Sequence, residues 1–302
     1  MDLKVKIGNQ ILPNPVGVAS GTFGYGEEYG ELIDLSKLGA IYTKAVTVLP
    51  REGNRLPRLT ETPNGMINSI GLANSGVEGF LKNKVPFLNT IKSCKNIVNV
   101  AGSTEDEYVK VVEMIDHVES VWGYEINISC PNVKCGGLAF GTDPIQVERL
   151  TRVIKSKTKK PVIMKLTPNV TDITTVATAC EIGGADAVSC INTVMGMKID
   201  IHKKQPAIYQ KTGGLSGPAI KPVGVAAVYR VSKKITIPVV GLGGIMNAED
   251  AIEYFLAGAS AIQVGTANFI NPNAPLDILD GIKDYMKENN LNKISDFHGF
   301  ID

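Results

Sequence analysis

Short runs of β-branched and other apolar residues recur eight times along the chain of 302 residues, and helical patterns fill most of the gaps between them. The runs are continuously apolar rather than alternating, as is typical of parallel strands that are buried on both faces. They lie near residues 16–19, 40–45, 97–101, 124–128, 162–166, 186–191, 238–241 and 261–265. Eight strand–helix units in one chain of this length predict an α/β fold of the (β/α)8 TIM-barrel type.

Capping signals mark several of the helix boundaries. Thr104 followed by Glu107 is typical of a capping box, and Asp143-Pro144 predicts an N-cap with proline in the first helical position. Gly258 is expected to end a helix just before the last strand. The helical patterns cover about 75–92, 104–119, 143–158, 172–182, 218–233, 248–257 and 275–289.

A doubly wound sheet is the alternative architecture, and the nucleotide-binding fingerprints argue against it. Residues 241–246 lack the final glycine of the dinucleotide fingerprint, and Gly24-Tyr25-Gly26 has no strand before it. The phosphate-loop pattern GxxxxGK[ST] does not occur in the sequence either. The barrel is therefore favoured.

Three further segments complete the predicted architecture. Residues 3–12 are typical of a small N-terminal β-hairpin, which would close the bottom of the barrel. Two long excursions, 46–70 after the second strand and 192–217 after the sixth, are expected to form insertions at the C-terminal face, where barrel active sites lie. Because no interdomain linker is apparent, we expect residues 1–302 to form a single barrel domain.

Charge and hydropathy restrict the partners and the compartment. The 31 Lys and Arg residues against 30 Asp and Glu residues leave a net charge of +1, without the cationic surplus that nucleic-acid binding needs. No apolar run approaches the ~20 residues of a membrane-spanning helix, and the N-terminal segment lacks the apolar stretch of a signal peptide. We therefore expect a cytoplasmic protein that binds neither nucleic acid nor membranes.

The five cysteines indicate neither a disulfide framework nor a metal site. Their number is odd, no CxxC pair occurs, and the three histidines are scattered along the chain. Cys180 and Cys190 lie in apolar stretches and are expected to be packed thiols, and we interpret Cys94 in the same way.

Polar or small residues follow each predicted strand, and all of them would meet on one rim of the barrel. Lysines that directly follow apolar runs are costly to bury without an anionic partner. Many barrels bind phosphate at the loops after strands seven and eight, and glycines in these loops let backbone N–H groups approach an anion closely. Together they predict a phosphorylated ligand. The rim residues are Ser20-Gly21, Lys44, Asn99, Asn127 to Asn132, Lys165, Asn192-Thr193, Gly243-Gly244 and Gly265-Thr266.

The segment Asn127-Ile128-Ser129-Cys130-Pro131-Asn132 is the most distinctive local feature of the sequence. A cysteine at a polar rim is a candidate nucleophile or base, whereas a buried cysteine is not. The alternative is an ordinary thiol in a glycine-rich loop, because a free thiol is only slightly ionised at neutral pH. We therefore treat Cys130 as the leading candidate for a reactive group.

These residues together make the chain resemble class 1 dihydroorotate dehydrogenases, specifically the catalytic subunits of the NAD-linked class 1B enzymes. The most specific element of the resemblance is the NISCPN segment at 127–132. The family fold is an FMN-binding (β/α)8 barrel, which the strand count predicts separately. The resemblance covers nearly the whole chain and lies in residues 14–15, 19–21, 43–45, 68–72, 127–132, 165–168, 191–193, 214–217, 241–244 and 264–268.

The resemblance implies FMN-dependent oxidation of (S)-dihydroorotate to orotate in de novo pyrimidine biosynthesis. Cys130 would be the base that takes a proton from C5 of the substrate, while hydride passes from C6 to N5 of FMN. Lys44 would act between flavin and substrate, and Lys165 near the pyrimidine edge of the flavin, where a fixed cation stabilises negative charge. Class 2 relatives carry serine at the base position, so Cys130 favours class 1.

The resemblance also implies the residues of two binding sites, and it implies no metal ligand. Amide-rich recognition suits a planar ring with alternating N–H and C=O groups. One FMN per chain would be held by Ser20, Lys44, Ala45, Asn99, Asn127, Lys165, Ile191, Gly217, Gly243, Gly244, Gly265 and Thr266. The substrate would be held by Lys44, Asn68, Ser69, Ile70, Gly71, Leu72, Asn127, Asn132, Asn192 and Thr193.

The class 1B resemblance, closest at 136–144 and 192–197, implies a homodimer that pairs with an electron-transfer subunit in a heterotetramer. That partner would carry FAD and a [2Fe–2S] cluster and reduce NAD⁺. The sequence itself has no dinucleotide fingerprint, and it lacks the closely spaced cysteines, about four in number, that hold an iron–sulfur cluster. Three alternatives remain: a fumarate-reducing class 1A enzyme, a dihydropyrimidine dehydrogenase-type flavin barrel, whose motif more typically continues SCPH, and a non-catalytic phosphate-binding barrel.

Overall fold

Strands and helices alternate along most of the chain. The computed structural model describes residues 1–129, 134–135 and 138–301. Its strands are β1 (Val5–Ile7), β2 (Gln10–Leu12), β3 (Val16–Val18), β4 (Ala40–Tyr42), β5 (Leu59–Thr62), β6 (Gly65–Asn68), β7 (Lys95–Val100), β8 (Val121–Asn127), β9 (Lys134–Cys135), β10 (Leu138–Ala139), β11 (Val162–Lys165), β12 (Ala187–Cys190), β13 (Val194–Met197), β14 (Ile199–Asp200), β15 (Gln205–Pro206), β16 (Thr212–Ser216), β17 (Val239–Leu242) and β18 (Ala261–Val264). Its α-helices are α1 (Gly76–Asn83), α2 (Val85–Leu88), α3 (Glu105–Ile115), α4 (Pro144–Lys157), α5 (Ile173–Ile182), α6 (Lys221–Ser232), α7 (Ala248–Leu256) and α8 (Ala274–Glu288).

Eight parallel strands close into a barrel in the order β3, β4, β7, β8, β11, β12, β17 and β18, with β18 pairing back to β3. Each of the eight predicted strands contributes one of them, which confirms the predicted (β/α)8 barrel. The strands are almost entirely buried, because helices cover the outside and side chains fill the interior. Their carboxyl ends share one rim, and this rim positions the candidate site.

The first crossover departs from the regular pattern. Between β3 and β4 the chain forms two 3₁₀ turns, Glu27–Tyr29 and Leu35–Lys37, instead of an α-helix. The single helix predicted over 75–92 is divided at Lys84 into α1 and α2. Pro86 explains the division, because it has no N–H with which to continue the hydrogen-bond ladder of α1.

The predicted helix caps are formed with one exception. Asp143 accepts a hydrogen bond from the Ile145 N–H at 3.0 Å, and Thr104 accepts one from the Glu107 N–H at 3.2 Å. The Glu107 carboxylate accepts from the Ser103 N–H rather than from that of Thr104. The second hydrogen bond of the predicted capping box, from the Thr104 N–H to the Glu107 carboxylate, is therefore wrong by one residue.

The two excursions at the C-terminal face join into one antiparallel sheet. Strands β5 and β6 come from the first excursion and β13 and β16 from the second, in the order β13, β16, β6, β5. The sheet is joined where Asn68 pairs with Gly214 and Ile67 with Leu215. We call this sheet the lobe.

The predicted N-terminal hairpin is formed by β1 and β2. Its turn residue Gly8 has a φ of +57°, and a Cβ atom there would lie 2.5 Å from Oδ1 of Asp186, just before β12. The hairpin therefore lies at the N-terminal end of the barrel, as expected. Among the helices that the structure describes, none is long and apolar enough to cross a bilayer.

Candidate active site

A fully buried carboxylate connects five of the barrel strands. Glu125 on β8 accepts hydrogen bonds at Oε2 from the Asn99 amide, at 2.6 Å, and from the Lys165 ammonium, at 3.3 Å. At Oε1 it accepts from the Ser189 hydroxyl at 2.9 Å and from the Gln263 amide at 2.7 Å. A buried charge needs such partners, and here each donor comes from a different strand.

Lys165 lies at the carboxyl end of β11 and is only 5% exposed. Its ammonium also lies 3.3 Å from the hydroxyl of Ser20, which follows β3. The sequence predicts that a lysine in this position needs an anionic partner. In the structure the Glu125 carboxylate is such a partner, at 3.3 Å.

Asn99 has an acceptor that no described residue engages. Its amide nitrogen donates to Glu125, so its Oδ1 is left buried and without a hydrogen-bond partner in the described part of the chain. An unsatisfied buried acceptor costs about 1–3 kcal/mol. A ligand N–H group beside Lys165 would remove that cost.

The turns after β17 and β18 form a cradle of backbone N–H groups. Gly243 and Gly244 have φ values of +125° and +71°, which favour glycine. Within the described residues, neither the Gly244 N–H nor the Gly265 N–H has a hydrogen-bond partner. A Cβ atom on Gly265 would meet only the Cβ of Ala19, at 3.6 Å, so this position faces open space. Free N–H groups beside open space are suited to an anion such as phosphate.

Two residues tie this cradle to the lobe. The Thr266 hydroxyl donates to that of Ser216 at 2.9 Å, and Gly244 packs against the Gly217 carbonyl, which a Cβ atom on Gly244 would approach to 2.8 Å. The predicted FMN-binding residues Gly217, Gly244 and Thr266 are therefore brought together.

Segment 68–72 starts at the last residue of strand β6 of the lobe, and hydrogen bonds from Asn54 fix its conformation. The Asn54 backbone N–H donates to the Ile70 carbonyl at 3.0 Å, and its side chain donates to the Ser69 carbonyl at 2.9 Å. Gly71 and Leu72 then turn the chain with φ values of +74° and +57°. This segment is one of the predicted parts of the substrate site.

Asn68, Asn127, Asn192 and Thr193 supply amide and hydroxyl groups near the rim. The Asn68 amide donates to the Gly214 carbonyl at 3.3 Å, and the Thr193 side chain packs against the same glycine. The side-chain oxygens of Asn127 and Asn192 accept from the backbone N–H groups of Ser129 and Thr193. Their amide nitrogens have no partner among the described residues, so both are available as hydrogen-bond donors.

The remaining predicted site residues make fewer contacts. Lys44 follows β4 and is half-buried. Ala45 and Ile191 are buried. The predicted base Cys130 and the predicted substrate residue Asn132 lie outside the described residues.

Three other cysteines are excluded as reactive groups. Cys94, Cys180 and Cys190 are buried, as the sequence predicts, and burial raises the pKa of each thiol above its ordinary value. In the described part of the chain no group of three His, Cys, Asp or Glu side chains could hold a metal ion. Ser129, which follows β8, donates its hydroxyl to the Lys165 carbonyl at 3.0 Å.

Sequence reasoning missed three residues of the interior cluster, namely Glu125, Ser189 and Gln263. The available signal was a polar residue inside a strand that is otherwise apolar, as in YEINI at 124–128 and AIQVG at 261–265. In strands buried on both faces, such residues must find partners inside the barrel.

Comparison with known proteins finds matches over nearly the whole chain. The family model for dihydroorotate dehydrogenase matches residues 2–286. A protein of Desulforamulus reducens named dihydroorotate dehydrogenase B (NAD(+)), catalytic subunit, is 51% identical over 299 residues, covering 99% of this chain and 98% of that protein. A protein of the same name from Alkaliphilus metalliredigens is 50% identical over 301 residues, covering 100% of this chain and 99% of that protein.

A solved structure shares the fold. The crystal structure of a dihydroorotate dehydrogenase from Eimeria tenella in complex with ferulenol superposes with a TM-score of 0.80. The match covers 98% of this chain and 87% of that one at 21% identity, so it supports the barrel architecture.

Proposed function

The chain belongs to the dihydroorotate dehydrogenase family, and we propose that it oxidises (S)-dihydroorotate to orotate in pyrimidine biosynthesis, with one FMN bound at the mouth of the barrel. The observation that carries this proposal is the sequence identity of 50–51%, over the full length of the chain, to proteins named as catalytic subunits of dihydroorotate dehydrogenase. The buried Lys165–Glu125 pair at the rim supports it, because the reaction needs a fixed cation beside the cofactor.

The described residues fit FMN at two points. The free N–H groups of Gly244 and Gly265 would hold its phosphate. The orphaned Oδ1 of Asn99 would accept from an N–H of its ring, beside the Lys165 ammonium. When bound, FMN supplies the acceptor for hydride from C6 of the substrate. The other residues proposed for this site are Ser20, Lys44, Ala45, Asn127, Ile191, Gly217, Gly243 and Thr266.

The proposed substrate site is rich in amides. Asn127 and Asn192 present donors, since their oxygens are engaged by the backbone. Such donors suit the carbonyl and carboxylate oxygens of dihydroorotate and orotate. The Lys44 ammonium would complement the carboxylate charge. Asn68, Asn132, Thr193 and segment 69–72 would complete the site.

Cys130 would act as the general base. Its thiolate would take the proton from C5 of dihydroorotate while hydride leaves C6, and the ring C5–C6 bond would become double. Lys165 would favour the negative charge that the ring system of the cofactor gains. Lys44 would orient the substrate against the cofactor.

The relatives' name, which includes "catalytic subunit", supports a partner chain. We extend the proposal to a homodimer of this chain, paired with a subunit that carries FAD and a [2Fe–2S] cluster and passes electrons to NAD⁺. A class 1A enzyme would instead reduce fumarate without a partner.

We expect the purified chain alone to reduce neither NAD⁺ nor fumarate at a catalytic rate with dihydroorotate. NAD⁺ reduction should appear when the electron-transfer subunit is added. NAD⁺ reduction is measured by the absorbance of the NADH formed, and fumarate reduction by the absorbance of the orotate formed when fumarate is present. Brisk fumarate reduction by the chain alone would favour class 1A and contradict the partner.

Replacing Gly265 with valine should abolish most FMN binding. The new side chain would enter the open space beside the free N–H groups, and only the Ala19 methyl lies near it. Gly244 is a poorer probe, because a side chain there would strike the Gly217 carbonyl. Flavin content per chain, measured by absorbance after denaturation, checks this. Full occupancy in Gly265→Val would contradict the phosphate position.

Replacing Lys165 with alanine should lower the midpoint potential of bound FMN. Loss of the fixed cation removes stabilisation of negative charge, so reduction by dihydroorotate should slow more than orotate binding weakens. Spectroelectrochemistry and an orotate titration measure the two effects. Lys234→Ala, at an exposed lysine, is the control. A change in orotate affinity alone would make Lys165 a substrate-binding residue instead.

A further inference from the structure

A buried tyrosine holds the turn that follows β17. Tyr254 on α7 is fully buried, and its hydroxyl donates to the Gly243 carbonyl at 2.7 Å. Burial raises the pKa of this phenol well above its ordinary value, so the hydroxyl stays protonated and acts as a donor.

Two glycines provide the space that this contact needs. A Cβ atom on Gly224 of α6 would overlap the Tyr254 hydroxyl, and one on Gly241 of β17 would lie 2.5 Å from the ring carbon Cδ1. Gly224 is in a helix interior, where alanine is about 1 kcal/mol more favourable. A glycine is needed at position 224 because the Tyr254 hydroxyl occupies the space that a side chain would take.

The hydrogen bond fixes which way the turn presents its N–H group. In a planar trans peptide, the carbonyl of Gly243 and the N–H of Gly244 point in opposite directions. Because Tyr254 binds the carbonyl, the Gly244 N–H is directed away from the tyrosine, and no described residue accepts from it.

Asp250 engages the rest of the turn. Its carboxylate accepts from the N–H groups of Met246 at 2.8 Å and Asn247 at 3.3 Å. The Lys221 ammonium pairs with the same carboxylate at 2.7 Å. These N–H groups are therefore not available to a ligand, whereas the Gly244 N–H is.

We infer that Tyr254 is a positioning residue for the phosphate of FMN, acting through the Gly243–Gly244 peptide without touching the cofactor. This inference rests on the proposed function, because it takes FMN as the ligand. It predicts an effect that depends on the phosphate group. A residue that merely supported the fold would affect phosphorylated and unphosphorylated flavins alike.

The test compares FMN with riboflavin, which lacks the phosphate, on the full chain freed of flavin. Tyr254→Phe should raise the Kd for FMN about 3- to 30-fold, the effect of one hydrogen bond to a positioned group. The Kd for riboflavin should stay unchanged. Quenching of flavin fluorescence gives both constants.

Tyr124→Phe is the matched control. Tyr124 is equally buried and donates to Asp116 at 2.8 Å, so its replacement deletes a comparable hydroxyl that makes no contact with the turn. It should change neither flavin affinity. Gly224→Ala keeps the tyrosine but displaces its hydroxyl, and it should reproduce the FMN-specific loss.

Equal weakening of FMN and riboflavin in Tyr254→Phe, or no change in either, would overturn the inference. If the unmodified chain binds FMN and riboflavin with equal affinity, the phosphate cradle itself is wrong. If the unmodified chain binds neither flavin, the proposed function fails as well, and that result is distinguishable from a failure confined to Tyr254.

Discussion

Replacing Cys130 with serine is expected to slow the reduction of bound FMN by dihydroorotate about 10²–10⁴-fold at neutral pH. A serine hydroxyl is a much weaker base than a thiolate, so the residual rate should rise with pH. Anaerobic stopped-flow absorbance of the flavin measures the rate directly. FMN content should be unaffected, because Cys130 is proposed to act on the substrate.

Cys135→Ser is the natural control for this experiment. Cys135 follows Cys130 by five positions in the same connection between β8 and α4, and no role in proton transfer is proposed for it. Its rate should match that of the unmodified chain. Equal losses in the two variants would show that the effect comes from the loop rather than from the base.

Replacing Glu125 with leucine should lower the free energy of unfolding by about 3–5 kcal/mol. The substitution leaves the Lys165 ammonium buried without its anionic partner, and it leaves the amides of Asn99 and Gln263 without their acceptor. Urea unfolding of the flavin-free chain, followed by circular dichroism, measures the loss.

Glu119→Leu makes the same chemical change just before β8, at an exposed position. Its free energy of unfolding should stay within about 0.5 kcal/mol of the unmodified value. A loss below about 1 kcal/mol in Glu125→Leu would mean that the interior cluster contributes little to the barrel.

The barrel could be predicted from sequence because its strands are buried on both faces. A run such as VIMKL at 162–166 has few other structures available to it when seven similar runs share the chain. The first crossover was less predictable, since the 3₁₀ turns that replace its helix have weak local signals. The pairing of β6 with β16 joins Asn68 to Gly214, and no local pattern specifies contacts between residues so far apart in the sequence.

The candidate site also contains some residues that could be predicted from the sequence and others that could not. The positions of the glycines after β17 and β18 and of Lys165 at the end of β11 could be predicted from the strand ends, and the structure brings them to one rim. That Glu125 neutralises Lys165 could not be predicted, because it depends on the register between β8 and β11, in which Ile163 pairs with Glu125 and Lys165 with Asn127. Tyr254 was missed for a related reason: its role depends on two glycines in other elements. The roles of Cys130, Asn132 and segment 68–72 come from family resemblance, and they stay predictions.

The most direct test of the proposed activity is the visible spectrum of the purified chain under anaerobic conditions. The chain should carry about one FMN, and adding dihydroorotate should bleach its absorbance near the flavin maximum while orotate forms in equal amount. Dihydrouracil should leave the spectrum unchanged. A chain that stays colourless after incubation with FMN, or a bound flavin that dihydrouracil bleaches and dihydroorotate does not, would contradict the proposal.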